Sequence, residues 1–323
     1  MSKTQRLTVS LKLSFFIFGL FLLFFFFSCK EKPRWTPSEG YVAVKGGEIW
    51  YGILGEGNKK PIMLLHGGPG STSQYFYQLE PLSEERPIIL FDQLGSGRST
   101  YHTDTTLMTI PNFVSQVAKL KEALDLEEYF VLGHSWGSAL AMEYYLAHPD
   151  GIEGIIFSSP LLSTSLWEAD ADTLIRSLPD SIQNIISIAE KNRDFDTSDY
   201  KYADSIYWSK FGLRKGDKKH FLDTVDVSPN KVIYKYMWGP SEFMATGTLK
   251  NFDRVKNLAE IKLPVLFLTG EFDEARPSTV SRFKGLVPDS RFEVIKEAGH
   301  STMRDNAEQY NKAIAQFLNE IDS

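Results

Sequence analysis

Tyr129-Phe130-Val131-Leu132-Gly133-His134-Ser135-Trp136-Gly137 decides the fold of this 323-residue chain. Four apolar residues suited to a buried strand lead into a segment of the form G-x-S-x-G. A helix-forming run, Ser138-Ala139-Leu140-Ala141-Met142-Glu143-Tyr144-Tyr145, follows directly. Strand, tight turn, serine and helix in that order describe a nucleophile elbow. The serine sits on a strained turn, and a Cβ at position 133 or 137 would collide with the neighbouring strand or helix. The bare five-residue pattern is common; the strand and helix that flank it here make it specific.

An elbow of this kind belongs to the α/β-hydrolase fold, which requires an acid and then a histidine further along the chain. Pro264-Val265-Leu266-Phe267-Leu268-Thr269-Gly270 reads as a buried strand, and Glu271-Phe272-Asp273-Glu274 follows it. Arg291-Phe292-Glu293-Val294-Ile295 reads as another strand, with Glu297-Ala298-Gly299-His300 in the loop at its end. Functional groups of open parallel sheets collect at the carboxyl ends of strands, where all three candidates lie. A serine hydroxyl is a weak nucleophile until a base takes its proton. His300 is the expected base, and Asp273 the group that fixes its tautomer and stabilises the imidazolium. His66 and His134 lie inside motif loops and are expected to shape them.

Upstream, Pro61-Ile62-Met63-Leu64-Leu65 reads as a third strand running into His66-Gly67-Gly68-Pro69-Gly70. A glycine-rich loop at this place supplies one backbone N–H to an oxyanion hole, and the residue after the nucleophile supplies the other. Gly68 and Trp136 are the expected donors. Loss of one such donor costs about 3–4 kcal/mol of transition-state stabilisation.

Four segments together, His66–Gly70, Asp92–Ser99, Gly133–Gly137 and Trp238-Gly239-Pro240-Ser241-Glu242-Phe243, resemble the proline iminopeptidases. The branch most similar is that of the tricorn-interacting aminopeptidase and related amino-acid amidases. The resemblance spans roughly residues 41–320. It departs from the family at Ser138, where a second glycine is usual after the elbow. It implies an exopeptidase that removes an N-terminal residue, often proline. It also implies that glutamates bind the substrate's free amine, and Glu242 and Glu274 match those positions. An α-amino group with a pKa near 7.7–8.0 is mostly protonated at neutral pH. Two carboxylates in a dehydrated cleft would hold it by charge-assisted hydrogen bonds and reject blocked N-termini.

The amino-terminus carries Lys3, Arg6 and Lys12 ahead of an apolar run from Leu13 to Phe27. That run is shorter than the roughly 20 residues a membrane span needs, and a basic segment before it reads as a secretory signal peptide. Phe27-Ser28-Cys29-Lys30 resembles a bacterial lipoprotein site, with cleavage before Cys29, the chain's single cysteine, and lipid on its thiol; the rival readings are an uncleaved anchor or cleavage at another site. The expected location is the bacterial cell envelope, with the protein exported and held on a membrane by its acyl chains. Without residues 1–28 the chain has 32 bases against 41 acids. That balance, with no basic stripe, argues against nucleic-acid binding.

The expected architecture is an α/β-hydrolase with a mostly parallel central sheet and an inserted helical cap. Residues 1–28 form the signal, 29–40 a tether, 41–162 the first part of the core, 163–250 the cap and 251–323 the second part of the core. Tyr41–Leu54 reads as an opening hairpin and Pro111–Leu126 as an amphipathic helix. In the cap, helices are expected over Leu166–Ser177, Ser181–Lys191, Asp199–Phe211 and Lys231–Met237. Trp238 and Phe243 flank Glu242 and are expected to wall the pocket for the first side chain. No metal or cofactor is expected, since the chain has no H-E-x-x-H and its one cysteine belongs to the signal. Short peptides or amino-acid amides with a free N-terminus are the expected substrates. The rival readings are an amidase or general carboxylesterase or lactonase of the same fold, and a non-catalytic binding lipoprotein. A serine at position 135 excludes epoxide-hydrolase and dehalogenase chemistry, which needs an acid there.

Overall fold

The computed structural model describes residues 34–216 and 220–322. The expected signal peptide (1–28), Cys29 and the first part of the tether lie outside them. Alternating faces organise the core. Strands β1 (Ser38–Val44), β2 (Gly47–Leu54), β3 (Ile62–Leu65), β4 (Ile88–Phe91), β5 (Tyr129–His134), β6 (Ile152–Ser158), β7 (Val265–Gly270) and β8 (Ser290–Ile295) form one sheet in the order β1-β2-β4-β3-β5-β6-β7-β8. β2 pairs antiparallel with β1 and β4, and the remaining pairs are parallel. β3, β4, β5 and β7 are buried along their whole length, as continuous apolar runs in a sheet covered on both faces should be.

Successive residues of these strands enter opposite cores. Met63, Leu65, Ile89, Val131, Ile155 and Phe267 pack on one face, with α1 (Ile110–Ala123) and α2 (Trp136–Ala147). Ile62, Leu64, Ile88, Leu132, Ile156 and Leu266 pack on the other, against Phe76, Leu79 and the helix Ala307–Ile321. α1 begins one residue before Pro111, whose fixed φ suits a first turn, and Thr109 caps it by accepting from the Asn112 N–H.

The hairpin starts earlier than its apolar pattern suggested. β1 begins at Ser38, and the buried Trp35 bridges to Gly57, so the tether ends short of residue 40. Between β6 and β7 the alternation stops. α3 (Thr164–Ile175), α4 (Asp180–Asn192), α5 (Ser198–Tyr207) and α6 (Lys231–Met237) are inserted there. Four of the cap aromatics, Tyr200, Tyr207, Phe211 and Phe243, pack with Ile182 and Ile186 in the cap's own core, whereas Trp167 and Trp238 pack in the main core. α5 runs into a π-helical turn, Trp208–Gly212, which ends the expected 199–211 helix in a different geometry. After β7 the core resumes with α7 (Pro277–Lys284), then α8 (Thr302–Asp305) and α9 (Ala307–Ile321). Among the described residues no helix is long and apolar enough to cross a membrane.

Candidate active site

The strand order brings the loops after β3, β5, β7 and β8 to one end of the sheet. Ser135 follows β5 with φ +56° and ψ −122°, a conformation that serine tolerates only when its surroundings impose it. The two flanking glycines make the turn possible. A Cβ at Gly133 would lie 2.2 Å from the Gly137 carbonyl oxygen, and one at Gly137 would lie 1.9 Å from that of Leu65. Ser138 fits where a further glycine is usual, because its hydroxyl donates to the Gly133 carbonyl at 2.6 Å.

His300 is held from several sides. Its Nδ1 bonds Asp273 Oδ1 at 2.9 Å. Its backbone N–H donates to the Phe211 carbonyl of the π-helical turn at 2.7 Å, and Ser301 donates to Gly212 at 2.8 Å. Gly299 is required beside them, since a Cβ there would lie 2.6 Å from the Phe211 oxygen. Asp273, almost fully buried, takes four further donors: the Ser159 hydroxyl at 2.6 Å, the Thr269 hydroxyl at 3.1 Å, the Gly270 N–H at 3.0 Å and the Ala275 N–H at 2.9 Å. Burial alone would raise its pKa. The facing His300 and the donors outweigh burial and hold the carboxyl below its ordinary value, so it stays ionised.

The loop after β3 approaches the serine closely. A Cβ on Gly67 would sit 3.0 Å from that of Ser135. Among the described residues neither the Gly68 nor the Trp136 backbone N–H makes a hydrogen bond. Trp136 opens α2, so its N–H has no helical acceptor. Its indole donates to Gln93 Oε1 at 3.0 Å, and Gln93 in turn donates to the His66 carbonyl at 2.8 Å, tying elbow and loop together. Asp92 serves the same scaffold by accepting from Ser73 and from the Arg98 N–H.

His134 sets a chain of tautomers. Its Nε2 donates to the His300 carbonyl at 3.0 Å, which leaves Nδ1 as acceptor for the Tyr75 hydroxyl at 3.1 Å. That hydroxyl accepts the Gly67 N–H at 2.6 Å. Burial, then the neighbouring His300, push the His134 pKa down to about 3, so this network is neutral throughout the physiological range.

Ser135, His300, Gly68, Glu242 and Glu274 line one cavity of about 310 Å³. Glu274 is 2 % exposed; its Oε1 lies 3.6 Å from His300 Nε2, and its Oε2 has no hydrogen-bond partner among the described residues. Burial, then Glu242 and Asp273, push its pKa well up. Glu242 is raised too, by burial, against the opposing effect of the hydroxyl that Tyr234 donates to it.

Trp238 and Phe243 do not wall this cavity, contrary to expectation. Trp238 is buried, donates its indole N–H to the Ser241 carbonyl at 3.0 Å and packs edge-on against Trp167. Phe243 packs on Tyr207 with ring centroids 4.5 Å apart. The pair anchors the turn that presents Glu242, while Tyr75, Trp208 and Tyr234 supply the aromatic wall. The sequence reading missed Tyr75, Ser159 and Tyr234, none of which lies in a motif. Among the described residues no group of three or more His, Cys, Asp or Glu could hold a metal ion.

Residues 60–307 match the model of the alpha/beta hydrolase fold family. The proline iminopeptidase of Heyndrickxia coagulans is 40% identical over 286 residues, covering 88% of this chain and 99% of the relative. This chain belongs to the proline iminopeptidase family. The family's member from Clostridium botulinum is 34% identical over 291 residues, with 88% and 99% coverage. The solved proline iminopeptidase of Mycobacterium smegmatis superposes with a TM-score of 0.80 at 30% identity, over 88% of this chain and 99% of its own. The fold and the serine exopeptidase class are those of the family.

Proposed function

We propose that this protein releases an N-terminal residue, with proline favoured, from short peptides through an acyl-enzyme. Ser135 Oγ attacks the carbonyl carbon of the first residue while His300 takes its proton. The Gly68 and Trp136 N–H groups receive the oxyanion. As the intermediate collapses, the C–N bond breaks and the imidazolium gives its proton to the departing amine. Water, deprotonated by His300, then attacks the ester, and the serine regains its proton. Asp273 holds the imidazole in place throughout.

One observation carries the choice of an exopeptidase over an esterase: Glu274 is buried beside His300, in the cavity that Ser135 lines, with a carboxylate oxygen that has no hydrogen-bond partner among the described residues, and Glu242 lines the same cavity. An unpaired buried carboxylate is costly unless something pairs with it. A protonated α-amine one residue from the scissile bond supplies that partner. The names of the relatives support proline in the first position.

Turnover of prolyl-, alanyl- and N-acetyl-prolyl-p-nitroanilide, with p-nitrophenyl acetate alongside, tests the reading. Rapid cleavage of the free-amine anilides and none of the acetylated one is expected. Activity on the ester alone, or equal rates with and without the acetyl group, would leave an esterase or amidase. For location, the amino-terminal sequence supports an exported lipoprotein acylated at Cys29. Incorporation of labelled fatty acid, abolished in Cys29→Ser, is the expected outcome; a soluble, unlabelled product would overturn it.

A further inference from the structure

Building on the exopeptidase reading, we propose that Arg304 binds the C-terminal carboxylate of the substrate, so that dipeptides with both termini free are the preferred class. Arg304 lines the same cavity as Ser135, Glu242 and Glu274. It stands on α8, four residues past His300, and in the proposed role its guanidinium lies on the leaving-group side of the reacting carbonyl. A second cavity of about 330 Å³ shares Ser71, Tyr75, Pro229 and Arg304 with the first, but neither glutamate nor the nucleophile. Arg304 thus stands where the two cavities meet, and the proposed path of the substrate runs from the glutamates past the reacting carbonyl to this junction.

The position is rigid and its charge is felt locally. The Arg304 N–H donates to the Ser301 carbonyl at 2.9 Å. The next residue, Asp305, accepts from the Gly299 N–H at 2.9 Å and from the N–H groups of Arg214 and Lys215, which pins α8 to the histidine loop and to the chain after the π-helical turn. The guanidinium acts electrostatically on Tyr75 and His134, both beneath the nucleophile loop. A second cation, Lys231, reaches the same cavity from the start of α6. The lining of the cavity therefore carries two carboxylates and two cations, the two kinds of charge that a zwitterion needs. Beyond Arg304 the second cavity is walled by Asp223 and Asp226. A longer peptide would carry its carboxylate past the arginine to two like charges, so the same arrangement penalises length.

Steady-state hydrolysis of Pro-Ala, Pro-Ala-amide, Pro-Ala-Ala and prolyl-p-nitroanilide tests this directly. A charge-assisted pair to a carboxylate predicts a kcat/KM for Pro-Ala above that of its amide by about tenfold to a hundredfold, mostly in KM. Pro-Ala-Ala should fall below Pro-Ala. In Arg304→Gln the acid-to-amide ratio should drop to about one, and Arg304→Lys should restore part of it. Equal rates for Pro-Ala and its amide in the unaltered protein, with the anilide still cleaved, would overturn the role of Arg304 and leave the exopeptidase reading intact. A preference that persists in Arg304→Gln would assign the carboxylate to another group and also overturn it. No turnover of any of the four would remove both. The comparison in the unaltered protein decides the matter even if the variant does not fold.

Discussion

Asp273 and Glu274 are adjacent in sequence and almost equally buried, yet their surroundings differ in kind. Asp273 receives five hydrogen bonds and is held ionised against the cost of its burial. Glu274 feels three other carboxylates, Glu242, Asp273 and Asp204, leaves one oxygen unpartnered among the described residues, and is pushed toward its protonated form by burial and these neighbours. The first carboxylate is complete without a ligand. The second, on the proposed reading, is completed by the substrate's ammonium. A single peptide step separates the part of the site built by the core from the part left for the substrate.

The largest effects should come from the completed side. Ser135→Ala is expected to lower kcat by about 10⁶-fold on every substrate. Asp273→Asn should keep the fold and lower kcat by about 10⁴-fold, because an amide would hold the wrong imidazole tautomer. Both are read from initial rates, with circular dichroism to confirm folding. If Asp273→Asn acted mainly on KM for amine substrates, the two acids would not differ as argued.

On the unfinished side, Glu242→Gln and Glu274→Gln should each lower kcat/KM for free-amine substrates by about 10–100-fold, the cost of a lost charge-assisted bond. Sequence alone placed both glutamates through one family resemblance, but it could not show that they differ. Tyr234 partners Glu242, and that bond depends on where α6 packs. The same limit explains the other gaps. The elbow, the glycine loop and the order of acid and histidine are local features, readable because turns need glycine and buried parallel strands need continuous apolar runs. Tyr75 and Ser159 enter the site from elements whose local sequence says nothing of it. Trp238 and Phe243 flank the right glutamate, but Trp238 packs in the main core and Phe243 in the cap core. Trp208, which does line the cavity, sits on a π-helical turn that no periodicity announces.

The pH dependence sharpens the comparison. On the proposed reading Glu274 binds an ammonium in its ionised form; burial with its acidic neighbours raises its pKa. Activity on a prolyl anilide should therefore rise with pH along a limb set above the usual carboxylate range. It should fall again as the substrate amine loses its proton near or above about 8. p-Nitrophenyl acetate, which brings no amine, should lack that alkaline fall. Overlapping profiles for the two substrates would remove the amine from the account.

The smallest effect is on stability. A carboxyl whose pKa is raised on folding is fully favourable only below its unfolded pKa, and that contribution is lost as pH rises through the folded value. Glu274→Gln should therefore stabilise the protein at pH 8 by about 1 kcal/mol, or about 2–4 °C in Tm, and the gain should vanish near pH 4. A variant less stable than the parent at pH 8 would show that Glu274 is already paired.

The most direct test crosses the two adjacent acids with two substrates. Asp273→Asn and Glu274→Gln are each assayed on prolyl-p-nitroanilide and on p-nitrophenyl acetate. Asp273→Asn should lower both activities by similar factors. Glu274→Gln should lower the anilide activity alone and leave the ester rate within about twofold, a difference below 0.5 kcal/mol. Equal losses on both substrates in Glu274→Gln would make that residue part of the general catalytic apparatus and contradict its assignment to the amine.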